Sequence, residues 1–353
     1  MNPIRVSLIG YGYVGKTFHA PLILAIEGLA LTVVGSSRPD AVHADLPNVR
    51  VCSFEEAAVA EDADLVVIAS PNTSHYPLAV AALEAGKHVV IDKPFTTTLA
   101  DARALAALAA KHNRLLSVFH NRRWDSEVLA TRAILASGAL GHVSHYECHM
   151  DRFRPLVRQR WRENPGAGAG LWFDLGPHLI DQCLFLFGLP ETVTSQIAIL
   201  REGGQTDDWA HTVLTYPGLR VILHTTLLAA GRGPRTIVHG TLATWMKYGA
   251  DTQEPQLQAG MLPNDPLFGH DPDPGILIDG ATGTRTEIPA PRGLQQGYYA
   301  DVRDAILTNQ PLELSGKVAV AVMAILETTF ESARQGRTLH LPLTEEEKAA
   351  WKN

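Results

Sequence analysis

The sequence predicts an α/β protein in two parts, a parallel sheet covered by helices on both faces followed by an α+β domain. Three observations carry this. Short β-branched or leucine-rich runs alternate with Ala/Leu-rich helical patterns through the first third of the chain. That rhythm stops after "HNRRWD", Asn121 to Asp125. Beyond it, strands of alternating character follow one another with few helices between them.

In chain order, "IRVSLIG", "LALTVVG", "VRVC", "DLVVIAS", "HVVIDKP" and "LLSVFH" read as six strands, each closed by turn residues. Helices fall between most of them, clearest in "PLAVAALEAG" and "LADARALAALAAKH", where Ala and Leu recur at steps of three and four. The boundary is placed so that residues 1–122 form the first domain and 123–353 the second. In the latter, "SEVLATRAILASGAL" is a helix and "HVSHYECHM" a strand. An arginine-rich stretch follows, in which Arg152 and Arg154 share a strand face and Arg158 and Arg162 a helix face. "GAGLWFDLGPHLIDQCLFLFG" is a loop feeding an apolar helix, with Pro177 in its first turn. Five strands come next, from "TVTSQIAILR" to "ATWMKYG". Residues 251–292, rich in Pro, Gly and Asp, read as an irregular excursion, and two helices close the chain.

Composition narrows the function. Hydrophobic residues make up 46% and charged residues 19%, as in a folded globular protein, and 353 residues suit about two domains. A net charge of -7 argues against nucleic acid as a partner. No apolar run nears the roughly 18 residues of a membrane span, and "MNPIRVSLIGYG" enters a strand with no leader pattern, so a cytoplasmic location is expected. Three unevenly spaced cysteines read as reduced core thiols. The histidines are scattered without ligand spacing, so no metal site is expected.

"LIGYGYVG" supplies Gly10-x-Gly12-x-x-Gly15 between a strand and a helix. Gly10 permits the tight turn, Gly12 lets a pyrophosphate approach the backbone, and Gly15 allows close helix–strand packing. The free N–H groups of the helix start favour phosphate charge. Gly10, Gly12, Tyr13, Val14 and Gly15 are therefore cofactor candidates. An NAD-type site would carry a carboxylate after the second strand. Here the slot reads Ser36, Ser37, Arg38, two hydroxyls and a guanidinium suited to a 2'-phosphate, so NADP is favoured, with Asp40 keeping NAD possible. "IASPNTSHYP" and "IDKPF" end the fourth and fifth strands, where ligands gather in open α/β sheets. They add Ser70, Pro71, Asn72, His75, Asp92 and Lys93. A lysine there can donate to a substrate hydroxyl and stabilise developing alkoxide charge. "HNRRW" offers Asn121 to the cofactor and His120, Arg122 and Trp124 to the substrate, Arg123 being set aside as a solvated or interdomain charge.

Asp174 and His178 stand four residues apart and so share one helix face. Histidine is the natural acceptor of a hydroxyl proton, and Asp174 can fix its tautomer. Asp181 is read as structural.

Taken together, GxGxxG, "DKP", "HNRRW" and "GAGLWFDLGPHLIDQ" resemble the glucose-fructose oxidoreductase / inositol dehydrogenase (Gfo/Idh/MocA) family over nearly the whole chain. "LSVFHNRRWDS", "DRFRPLVRQRWRE" and "KYGADTQE" are similar to its NADP-dependent scyllo-inositol dehydrogenases. One departure is Asp92-Lys93-Pro94, where many relatives carry Glu-Lys-Pro. The resemblance implies a Rossmann dinucleotide-binding domain followed by an α+β domain with a large, mostly antiparallel open sheet, through which homodimers or homotetramers form. It implies Lys93, Asp174 and His178 as the catalytic group, with Trp161 and Arg162, joined by Arg154, on the substrate side. The expected reaction is NADP-dependent interconversion of a secondary alcohol and a ketone on a cyclic polyol or sugar, scyllo-inositol and scyllo-inosose first. The alternatives are another keto-sugar or sugar aldehyde, or a non-catalytic NADP-sensing regulator.

Overall fold

A computed structural model describes residues 2–231 and 233–351. They fall into two compact units. The first comprises residues 1–121, 253–268 and 294–320, the second 122–252, 269–293 and 321–353.

The first unit is built on six parallel strands, β1 (Ile4–Ile9), β2 (Leu29–Gly35), β3 (Arg50–Cys52), β4 (Leu65–Ile68), β5 (His88–Ile91) and β6 (Leu116–Val118), ordered β3-β2-β1-β4-β5-β6. Every residue of β4 is buried, as in strands covered on both faces. The strand order reverses between β1 and β4, the topological switch point at which ligands meet such sheets. Two later segments, which the sequence reading left with the C-terminal domain, complete this core. Ser117 Oγ hydrogen-bonds the Tyr298 hydroxyl at 2.7 Å and donates to the Leu314 carbonyl at 2.6 Å. His19 Nδ1 lies 2.6 Å from the Tyr299 hydroxyl, and both side chains are fully buried.

The second unit carries nine strands: β7 (Val143–His149), β8 (Thr192–Ala198), β9 (Trp209–Tyr216), β10 (Leu219–Thr226), β11 (Thr236–Gly240), β12 (Ala243–Lys247), β13 (Gly275–Asp279), β14 (Arg285–Ile288) and β15 (Leu339–His340). Their order is β14-β13-β12-β11-β7-β10-β9-β8-β15, antiparallel throughout except where β7 meets β10. Period-two alternation sends Tyr146, Cys148, Leu214, Val221, Leu223, Val238 and Trp245 into the core. The helices Ser126–Ser137 and Leu171–Phe187 pack against this sheet. Residues alternating with the buried ones stay partly exposed on the other face.

Three expectations need correction. The 251–292 excursion is not irregular, since it holds a helix (Gln253–Gln258) and the hairpin β13–β14. Pro177 is the seventh residue of the Leu171–Phe187 helix, beyond its first turn. Apolar burial holds the helix there: the Trp172 ring lies where a Cβ on Gly176 would meet it, and Trp172 Nε1 donates to Thr329 Oγ1 at 2.7 Å. Finally, residues 150–160 form neither strand nor helix beyond an isolated Phe153–Leu228 bridge.

Candidate active site

In the first unit, β1 runs directly into Gly10, whose φ of +97° only glycine adopts readily. A Cβ there would stand 2.5 Å from the Ala69 carbonyl oxygen, and one on Gly15 would fall on the Gly10 carbonyl oxygen. Gly12 differs: it is exposed, with nothing within 4 Å of its Cβ position. Two glycines are thus fixed by backbone packing, and the middle one leaves open space beside the chain. That is the cradle a pyrophosphate requires, so the residues fit a dinucleotide. The following helix begins with a π-type turn over Gly15–His19. Tyr13 is 57% exposed and accepts a hydrogen bond from Gln258 Nε2, while Val14 is half-buried.

After β2, the Arg38 backbone N–H donates to Ser36 Oγ at 3.1 Å, shaping a tight turn. Ser37 and Arg38 are exposed. A cavity of about 550 Å³ adjoins the glycine turn, lined by Tyr11, Lys16, Asp45, Leu257, Met261 and Asn264. Ser36, Ser37, Ser70 and Lys93 are not among its lining residues.

The loops after β4 and β5 are tied together by His75. Its Nε2 meets the Ser70 carbonyl and its Nδ1 the Pro94 carbonyl, both at 3.0 Å. Burial pushes this imidazole below the usual histidine range, against the pull of Asp92 and nearby carbonyls. His75 is 1% exposed, so its side chain braces the two loops. Ser70 Oγ bonds Ser74 Oγ at 2.7 Å beside Pro71 and the buried Asn72. Asp92 likewise turns inward, with His19 Nε2 3.5 Å from its Oδ1. Burial raises its carboxyl, but His19, Lys93 and His75 offset this and the net direction is down, so it stays an anion. The shorter Asp in place of Glu therefore serves an internal network. Lys93 is half-buried at the end of the same loop, and His120 and Asn121 are buried after β6.

In the second unit, Gly170 precedes the Leu171–Phe187 helix with φ +96°, and a Cβ there would strike the Asp207 carboxylate. Asp207 Oδ2 accepts from the Trp172 N–H at 2.6 Å and so satisfies one orphan donor of the helix start. Burial pushes this carboxyl up to about 6. Asp174, partly exposed in the first turn, lies one turn before the buried His178. Its Oδ1 is 3.4 Å from Arg162 Nε, and the Arg162 guanidinium covers the Trp161 ring at 4.5 Å. Arg162, Asp174, Thr206 and Asp207 share the wall of one cleft. Arg154 is half-buried; burial and the charges of Arg158 and Arg160 lower its pKa. Arg122 reaches Asp125 at 3.1 Å, and Trp124 is half-buried nearby.

Sequence reasoning missed the groups that hold this cleft. Glu163, 4% exposed, accepts from the Arg158 N–H at 2.9 Å, Arg160 Nε at 3.0 Å and Arg201 at 3.0 Å. Arg201 reaches on to Asp208 at 3.0 Å and to the carbonyls of Arg154 and Leu156 at 3.2 Å. One buried carboxylate thus gathers the arginine-rich stretch, which needs no helix to order it. The only available signal was a lone Glu among five arginines. Arg123, set aside from sequence, is 3% exposed and forks onto Asp181 at 2.7 and 3.0 Å, so Asp181 is structural as expected.

A parallel sheet with its glycine turn at the switch point is the architecture of a dinucleotide-binding domain. Residues 4–120 match the oxidoreductase family described by its NAD-binding Rossmann fold, and residues 132–341 that family's C-terminal alpha/beta domain. The chain belongs to this Gfo/Idh/MocA family and is an NAD(P)-dependent dehydrogenase acting on CH–OH groups. It is 49% identical over 342 residues to the uncharacterized oxidoreductase YdgJ of Escherichia coli, covering 96% of this chain and 99% of that one. It is 35% identical to scyllo-inositol 2-dehydrogenase (NADP(+)) IolW of Bacillus subtilis, covering 97% of each. Among solved structures, an oxidoreductase from Bacillus cereus superposes with a TM-score of 0.89 at 29% identity, covering 97% and 99%. No helix among the described residues is long and apolar enough to cross a membrane.

Proposed function

We propose that the protein is an NADP-dependent oxidoreductase interconverting a secondary alcohol and a ketone on a cyclic polyol or sugar, with scyllo-inositol and scyllo-inosose as the first pair to test. The observation that carries this is the 35% identity to IolW over 97% of each chain, beside Asp174 and His178 standing one helical turn apart in this chain. The cofactor assignment rests on the β2 turn. Ser36 and Ser37 offer hydroxyls, and Arg38 forms no ion pair among the described residues, so a 2'-phosphate finds donors and no opposing carboxylate at those three positions.

In the oxidising direction His178 accepts the hydroxyl proton, and the C–H electron pair leaves as hydride while the carbonyl forms. A nicotinamide dinucleotide, when bound, would supply the hydride acceptor. Lys93 donates to the substrate oxygen and stabilises alkoxide character. Asp174 orients the imidazole, and Arg162 beside it lends the cleft a donor for a second hydroxyl. His120, Arg122, Trp124, Arg154 and Trp161 complete the proposed substrate contacts. The uncovered face of the nine-stranded sheet supports association into dimers or tetramers, and the reading includes a cytoplasmic location. The test is absorbance at the reduced-nicotinamide band with purified protein, inositol isomers and both cofactors. Turnover of an unrelated keto-sugar with all inositols inert would overturn the substrate, and preference for NAD would overturn the cofactor.

A further inference from the structure

We propose that the partly exposed face of the nine-stranded sheet carries a zinc site formed by His149, Asp151 and His224. Glu147, His149 and Asp151 follow one another at two-residue steps along β7 and its extension, so they point to one face. Strand register supplies the rest. His224 of β10 stands opposite His149 on one side and opposite His211 of β9 on the other. Pairing persists past the end of β7, since the Met150 N–H donates to the His224 carbonyl at 3.0 Å and the Arg152 N–H to the Thr226 carbonyl at 2.9 Å. Asp151 is thereby held beside the histidine row.

One donor atom from each of His149, Asp151 and His224 lies within 4.8 Å of the other two, and both carboxylate oxygens face an imidazole. His149 Nδ1 is 3.2 Å from Asp151 Oδ2, and His224 Nε2 is 3.9 Å from Asp151 Oδ1. Ligands about 2.0–2.2 Å from a tetrahedral ion lie about 3.4 Å apart, between those two values. Asp151 Oδ1 is shielded from solvent and has no hydrogen-bond partner among the described residues, although it is a carboxylate oxygen facing an imidazole nitrogen. A cation between them would satisfy both lone pairs.

The second ring nitrogens are also accounted for, as metal-binding histidines require. His149 Nε2 lies 2.8 Å from Glu147 Oε1, a carboxylate that fixes the ring and raises the basicity of Nδ1. His224 Nδ1 faces His211 Nδ1 at 3.4 Å, and the His211 ring stacks on Trp209 with an interplanar angle of 18°. Two imidazole nitrogens and one carboxylate oxygen suit a borderline divalent ion such as zinc better than calcium or magnesium, which take oxygen ligands. Side-chain exposures of 24%, 22% and 15% in the single chain leave room for a fourth ligand, which is water or, where the sheet face is covered by an associating copy, a group of that copy. This site lies apart from Lys93, Asp174 and His178 in sequence, and the inference does not depend on the proposed substrate.

The test uses tag-free, full-length protein stripped with a chelator, titrated calorimetrically with zinc chloride and optically with cobalt chloride. The expected result is one saturable zinc per chain, with visible cobalt bands of tetrahedral intensity. Asp151→Asn and His224→Ala should abolish the bands. Glu147→Gln should weaken zinc about 10- to 100-fold. Cofactor binding and melting temperature, measured on each variant, show that it is folded, and the near-isosteric Asp151→Asn decides the matter if His224→Ala does not fold. Absence of a saturable site would overturn the proposal. So would zinc binding unchanged in Asp151→Asn, which would identify an adventitious ion on other histidines.

Discussion

Replacing Asp181 with alanine should destabilise the second unit far more than loss of a surface charge would. The Arg123 and Asp181 side chains are 3% and 2% exposed, and the fork closes at 2.7 and 3.0 Å. The Arg123 guanidinium also lies 4.7 Å from the Phe185 ring centre. Two charges 4 Å apart interact by about 4 kcal/mol at an effective dielectric of 20. Removing one partner strands the other in the interior, which costs about 3–5 kcal/mol. For a unit of this size that is a fall in Tm of roughly 6–20 °C. All six tryptophans lie in the second unit, so their fluorescence during urea unfolding reports it selectively. The matched pair Arg123→Met with Asp181→Leu should recover most of the loss, because it removes both buried charges together. A change below about 1 kcal/mol for Asp181→Ala, or a double replacement as damaging as the single one, would refute the reasoning.

The remaining expectations are shorter. Lys93→Ala and His178→Ala should each reduce turnover about 10²–10⁴-fold with dinucleotide affinity near normal, and steady-state rates alongside cofactor titration will check this. Arg38→Ala should weaken NADP about 10- to 100-fold and leave NAD nearly unchanged, a difference direct binding measurements resolve. Asp207, pushed up to about 6, favours its protonated form in the folded state. Its contribution is therefore fully present below about pH 4 and lost as pH rises through 6, at most about 3 kcal/mol. Asp207→Asn keeps an oxygen for the Trp172 N–H and removes the buried charge. It should be more stable than the parent at pH 8, with the gap closing towards pH 4; a variant less stable at pH 8 with the same pH slope would contradict this.

Local pattern revealed most of the fold and part of the candidate site. All six strands of the parallel sheet and the strands from "TVTSQIAILR" to "ATWMKYG" fall where alternation and turn residues put them, because each signal is confined to a few neighbouring residues. Gly10, Gly12 and Gly15 were legible for the same reason. What failed to show is long-range. Glu163 gathers arginines that look helical by spacing, since a buried carboxylate can order an irregular segment. The inward partners of His75 and Asp92, the Ser70 and Pro94 carbonyls and His19, were also out of reach, because which way a side chain turns is decided by packing. The histidines dismissed as scattered are brought into one row by the register of three strands, which pairs His224 with His211, 13 residues away, and with His149, 75 residues away.

Completion of the first unit by residues 294–320 has a consequence for how the chain is made. When residue 121 has been polymerised, the tyrosines that close the core around Ser117 and His19 have yet to be synthesised. At 5–20 residues per second the wait is roughly 9–35 s, during which the nascent nucleotide-binding sheet leaves apolar surface uncovered for chaperones or neighbouring ribosomes to meet. A gene fragment stopped at codon 122 would be caught permanently in that unfinished state.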